Sequence, residues 1–96
     1  MRRAARVDAN QAELVAALRK LGCSVEPLHA VGKGVPDLLV GYRGDNYLIE
    51  VKDGEKPPSK RKLRPTQEDW HANWRGSVHV FKSIDDVLDW VYSMSP

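Results

Sequence analysis

The chain has 96 residues, 42% hydrophobic and 29% charged, with a formal net charge of only +2. That length suits one domain with a thin core, and the composition excludes a wholly disordered or fibrous chain. No apolar run approaches the roughly 18 residues of a membrane span, and the opening MRRAARVDANQ, though basic, lacks the apolar stretch of a signal peptide. With a single cysteine, Cys23, no internal disulfide can form, so a cytoplasmic protein is expected.

In chain order, Asp8 is placed to cap a first helix, with Gln11 closing a capping box. Ala12, Leu14, Val15, Leu18 and Leu21 recur at helical spacing, and Gly22 ends the run. A short strand is expected at Cys23–Glu26, then the loop HAVGKGVP, whose Gly32-Lys33-Gly34 lacks the strand–loop–helix setting of a phosphate-binding P-loop. Asp37–Tyr42 and Tyr47–Lys52 read as strands joined by the turn Arg43-Gly44-Asp45-Asn46, a hairpin. A breaker-rich basic loop, DGEKPPSKRKLRP, follows. Thr66 is expected to cap a second helix bearing Trp70 and Trp74 on one face, with Gly76 as its stop. Val78–Phe81 is a fourth strand, and Ser83 caps a last helix with Ile84, Val87, Leu88 and Val91 inward and Trp90 beside them. The order is αβββαβα, with the third and fourth strands parallel because a helix joins them.

Charge is unevenly spread. Residues 1–64 hold 13 Lys/Arg against 8 Asp/Glu, and residues 65–96 hold 2 against 5. Arg2, Arg3 and Arg6, and then Lys56, Lys60, Arg61, Lys62 and Arg64, form basic clusters suited to a polyanion or, on charge alone, to a solvated loop.

The chemistry concentrates in GVPDLLVGYRGDNYLIEVK, residues 34–52. Alternation puts Leu48, Glu50 and Lys52 on one strand face and Tyr47, Ile49 and Val51 on the other. The hairpin brings Asp37 to the same end. Two carboxylates and an ammonium there suit a hard divalent cation, with the Val51 carbonyl as a further oxygen. Such a site can hydrolyse a phosphodiester, with Lys52 orienting water or stabilising the transition state. About one acid-x-Lys triplet is expected by chance in this composition. Taken alone, the triplet is therefore better accounted for by a solvated edge strand; its place at the end of an apolar strand, with Pro36-Asp37 opening the paired strand, shifts the balance.

Pro36-Asp37 followed by Glu50-Val51-Lys52 resembles the signature of the PD-(D/E)xK nuclease superfamily. The fuller Gly34–Val40 phrase, the EVK and the later Pro65-Thr66-Gln67 resemble its small VRR-NUC branch, whose stand-alone members come from phages and bacteria. The resemblance implies an α/β restriction-endonuclease-like domain over residues 1–96, an αβββαβ core with a mixed central sheet flanked by helices, plus a C-terminal helix. It implies a Mg²⁺- or Mn²⁺-dependent DNA endonuclease acting as a homodimer on branched DNA such as Holliday junctions. Asp37, Glu50 and the Val51 carbonyl would be metal ligands, with Glu13 as the candidate first-helix acid. Lys52 would be the catalytic lysine, and Gln67 a glutamine near the site. Lys33, Lys56, Lys60, Arg61, Lys62 and Arg64 are the candidate DNA contacts. The alternatives are a non-catalytic DNA-binding module of the same fold and a small α/β protein-interaction domain.

Among the other residues, Trp70 and Trp74 are expected in the core or in a dimer contact. Cys23 is expected to be a small buried apolar residue. His29, His71 and His79 lack metal-ligand spacing, and His71, one turn beyond Gln67, is expected on the surface.

Overall fold

The computed structural model describes residues 7–94; the basic cluster Arg2, Arg3 and Arg6 lies outside the described residues. The elements are α1 (Gln11–Lys20), β1 (Ser24–Pro27), β2 (Leu38–Tyr42), β3 (Asp45–Val51), a 3-10 turn at Pro58–Lys60, α2 (Pro65–Asn73), β4 (Val78–Phe81) and α3 (Ile84–Ser93). This is the expected order with one added turn, and no described helix is long and apolar enough to cross a membrane.

The sheet order is β1-β2-β3-β4. The first three strands are antiparallel, and β4 runs parallel to β3, with Glu50 opposite Val80 and Val51 opposite Phe81. The β2–β3 turn places Arg43 and Gly44 at φ 52° and 90°, the positive values that a tight two-residue hairpin loop demands. Because β4 pairs with its outer side, β3 is an interior strand. The solvated edge strand that the EVK triplet alone allowed is thereby excluded.

One face of the sheet is dry. Val25, Leu38, Val40, Ile49, Val51 and Phe81 meet Leu14, Val15 and Leu18 of α1 and Val87, Trp90 and Val91 of α3 in one cluster, with Cys23 buried beside it. Trp90 anchors an aromatic group, lying edge-on to Tyr47 at 5.0 Å and 5.5 Å from Phe81. The opposite face is largely open: Leu39 and Val80 are each 37% exposed, and Leu48 and Val78 are half-buried.

Three local expectations change. Asp8 does not cap α1 through its side chain; its carbonyl accepts the Gln11 N–H at 3.0 Å, and Asn10 takes the cap position. The Asn10 side chain is used elsewhere, donating to the carbonyls of Lys52 (3.0 Å) and Lys82 (3.1 Å), so it clips the helix start to the ends of β3 and β4. Ala12 is exposed, and Gln11 is buried at the start of the inward stripe. Thr66 does not cap α2 either. Pro65 occupies the first helical position, as its fixed φ favours, so the cap falls on Arg64, and the Gln67 side chain reaches back to accept the Arg64 N–H at 2.9 Å. That helix ends at Asn73, before Gly76. By contrast α1 closes as its Gly22 suggested: Gly22 sits at φ 97°, with Gly22 and Cys23 donating back to Arg19 and Leu18. Ser83 caps α3, its hydroxyl accepting the Asp86 N–H.

The two sheet faces should respond differently to truncation. Leu18→Ala, in the dry layer, should cost about 3 kcal/mol in urea unfolding. Val80→Ala on the open face should cost less than about 1 kcal/mol. Equal losses would contradict this layering.

Candidate active site

The β2–β3 ladder stops at Leu38 opposite Ile49. Beyond that point the Val51 N–H finds no strand carbonyl and donates to Asp37 Oδ2 at 2.7 Å. Asp37 is thus fixed against β3 at the level where Glu50 and Lys52 leave the open sheet face.

Glu50 and Lys52 are only 2% and 8% exposed, although their face of the sheet is otherwise open. The N-terminal turn of α2 covers them through Gln67, itself 4% exposed and the only buried residue of that helix. Gln67 Nε2 donates to Glu50 Oε2 at 2.8 Å, and its Oε1 accepts from Lys52 Nζ at 2.9 Å while also accepting the Arg64 N–H. Lys52 Nζ lies 3.7 Å from the same Glu50 oxygen. One amide therefore bonds both members of a buried ion pair, which offsets part of the cost of taking the charges out of water.

Glu50 Oε1 is buried and has no hydrogen-bond partner. Burial raises the Glu50 pKa to about 8, helped by the neighbouring Asp37 carboxylate and opposed by Lys52 and Arg64. Asp37 is also raised, mainly by burial; the Val51 N–H, a carboxyl–carboxyl hydrogen bond with Glu50 and the charge of Lys52 pull it down, and Asp8 pushes it up. Two carboxyls crowded at one spot, one oxygen left without a donor, and hard oxygen chemistry fit a divalent cation.

The first-helix acid differs from expectation. Glu13 is exposed, because the buried stripe of α1 runs through Gln11, Leu14, Val15 and Leu18. Glu13 lines a separate cleft with Asn10, Asp53, Glu55, Lys82 and Asp85. Among the described residues no third His, Cys, Asp or Glu joins Asp37 and Glu50 in a group able to hold a metal. Asp8, which the sequence offered only as a cap, is the acid whose charge reaches Asp37; it also pairs with Lys56 at 3.7 Å. Its position follows from the Asn10 clip, which no local pattern announces.

The cationic candidates divide. Lys33, Lys60, Lys62 and Arg64 are exposed. Lys56 is engaged with Asp8, and Arg61 Nη1 donates to the Gly54 carbonyl at 2.6 Å, which folds the basic loop back on itself. His71 is half-buried rather than on the surface: burial, with the charge of Lys52, lowers its pKa, and its Nε2 has no partner. Trp70 and Trp74 are outside the core. They stack on each other, with centroids 4.6 Å apart and planes at 16°, and Trp74 is 48% exposed.

A solved structure titled "VRR_NUC domain" superposes on this chain with a TM-score of 0.67 at 30% identity, over 88% of this chain and 92% of that one. The chain belongs to the VRR-NUC family. No family profile and no curated protein matches it. The VRR-NUC assignment establishes a nuclease-type, restriction-endonuclease-like fold, with the Pro36-Asp37 and Glu50-Val51-Lys52 motifs meeting at one end of its sheet.

The raised Glu50 value gives a signed prediction. Its folded pKa, about 8, exceeds the ordinary 4.5, so the fold holds a proton that the unfolded chain releases. Metal-free stability is greatest below the unfolded value and falls as pH rises towards the folded one. In chelator, Tm should drop between about pH 5 and 8, and Glu50→Gln should flatten that slope. Parallel curves for the two proteins would contradict the assignment.

Proposed function

We propose that this chain is a divalent-metal-dependent DNA endonuclease whose reacting centre is Asp37, Glu50 and Lys52, supported by Gln67. The observation that carries the reading is the buried Glu50, whose Oε1 lacks a donor beside Asp37 while its other oxygen and Lys52 are held by one glutamine. Two buried carboxyls crowded at one spot raise each other's proton affinity, and a hard cation would relieve that crowding.

Asp37, Glu50 and the Val51 carbonyl would hold Mg²⁺ or Mn²⁺. When bound, the ion supplies Lewis acidity towards a phosphate oxygen and lowers the pKa of water. Lys52, kept in one orientation by Gln67 Oε1, directs an ammonium N–H to the phosphoryl oxygen on which charge grows. Gln67 is a positioning residue: it touches Glu50 and Lys52 and holds the pair out of water. Arg64, exposed at the head of the same helix, lies within electrostatic reach of Glu50 and adds positive potential where a phosphate enters.

Branched DNA such as a Holliday junction is the proposed substrate, and a homodimer the proposed assembly. Two copies related by a two-fold axis present paired sites to a junction's paired strands. The half-open apolar patch of Leu39, Leu48, Val78 and Val80 favours such an arrangement. A cytoplasmic location accords with these assignments.

Asp37→Asn, Glu50→Gln and Lys52→Ala should each lower Mg²⁺-dependent cleavage of labelled junction DNA by at least about a hundredfold. Binding in chelator should persist. Unchanged cleavage in any one of them removes that residue from the centre. Lys60→Ala/Lys62→Ala should weaken DNA binding and reduce the steepness of its salt dependence by about one to two charges, with Tm unaltered. An unchanged salt slope would take the loop off the DNA path.

A further inference from the structure

The tryptophan pair of α2 has no structural work to do that requires its exposure. The helix buries Gln67 alone, and an indole that is 48% exposed gains little from its own fold. Yet both rings are held. The Gly34 backbone packs so tightly on α2 that a Cβ there would lie 2.4 Å from the Thr66 carbonyl oxygen and 3.2 Å from Trp70 Cβ. The Trp74 ring lies over Gly76, where a Cβ would come 2.7 Å from its Nε1. The pair is therefore a stacked aromatic surface, packed at Trp70 Cβ against Gly34 and at the Trp74 indole against Gly76.

It lines a depression of about 370 Å³ shared with Lys33, Thr66, Asp69 and Asn73. That volume falls within the range of small-ligand sites. The lining combines two indoles, the exposed Lys33 cation, the Asp69 carboxylate and the polar side chains of Thr66 and Asn73. Asp69 disfavours a phosphate inside the depression, while Lys33 attracts one at its margin. A planar, polar-edged ring attached to a phosphate chain meets both conditions. The basic loop enters α2 through Lys62 and Arg64, and the depression runs along that helix from Thr66, next to Gln67, to Trp74 at its C-terminal end.

We propose that the Trp70–Trp74 platform receives one unpaired nucleobase of the DNA substrate, so that the strand being cut is presented with a base out of its stack. This rests on the DNA-binding reading above and narrows its substrate class to DNA with an extrahelical or single-stranded nucleotide next to the cut. Stacking tolerates any base, because every base has a π-face.

The test uses the full chain in chelator, so that no strand is cut. Three labelled duplexes are compared by anisotropy and by tryptophan fluorescence: fully paired, with a one-nucleotide bulge, and with the same bulge made abasic. The bulged base should quench tryptophan emission and bind at least about fivefold more tightly than its abasic counterpart. Trp74→Ala should erase that margin, and Trp74→Phe should keep most of it. Equal affinity for base and abasic bulges without quenching, while paired DNA still binds, would overturn the platform and leave the nuclease reading standing. No binding to any of the three would overturn both. If Trp74→Ala turns a dimer into a monomer in sedimentation without changing the base-versus-abasic margin, the face belongs to a second copy and the proposal fails. Should Trp74→Ala not fold, the wild-type comparison of base and abasic bulges decides.

Discussion

The structure turns on one amide. Glu50 and Lys52 sit on an interior strand under a helix, where an unpaired charge is costly. Gln67 answers both, as donor to the carboxylate and acceptor from the ammonium, and spends its remaining acceptor capacity on the first turn of its own helix. The same contact seats α2, whose one fully buried residue is Gln67. The polar group that bonds Glu50 and Lys52 therefore also ties the helix to the sheet, so the candidate site and the local fold share one interaction network. What the amide leaves over is the second oxygen of Glu50, without a donor and facing the Asp37 carboxyl.

The sheet supplies the rest of the geometry by ending its pairing early. Where the hairpin ladder stops, the freed Val51 N–H takes the Asp37 carboxylate in place of a strand carbonyl. The parallel β4 on the other side keeps pairing to Lys52, whose N–H donates to the Phe81 carbonyl at 2.9 Å. The strand is thus opened on one side only. Asn10 closes this end by bonding the Lys52 and Lys82 carbonyls, which sets the start of α1 beside the site and brings Asp8 within reach of Asp37.

Much of this was legible in residue order. The alternation of the hairpin strands and the helix between the last two strands suffice for the element order and for the parallel pairing of β4, because both rest on local periodicity and chain connectivity. The convergence of Asp37 with Glu50 and Lys52 follows from hairpin register, and Gln67 was legible through its Pro-Thr-Gln context. What was not legible depends on contacts distant in sequence. Asp8 looked like the capping residue because its chemistry favours caps, and the role of Asn10 shows only in its contacts 42 and 72 residues away. Glu13 borders the apolar stripe of α1 and was a candidate only through the family resemblance, and the structure leaves it exposed. Trp70 and Trp74 were expected in the core or in a dimer contact because large indoles usually find such a place; the structure leaves Trp70 half-buried and Trp74 exposed, outside the core.

The central claim is that Asp37 and Glu50 form one cation site kept partly protonated by burial. Calorimetric titration of Mn²⁺ into the protein at about pH 7, in two buffers of different ionisation enthalpy, tests it most directly. The account predicts one dominant binding event per chain with net proton release, lost in Glu50→Gln. Binding of equal strength in that variant, or binding without proton release, would contradict it.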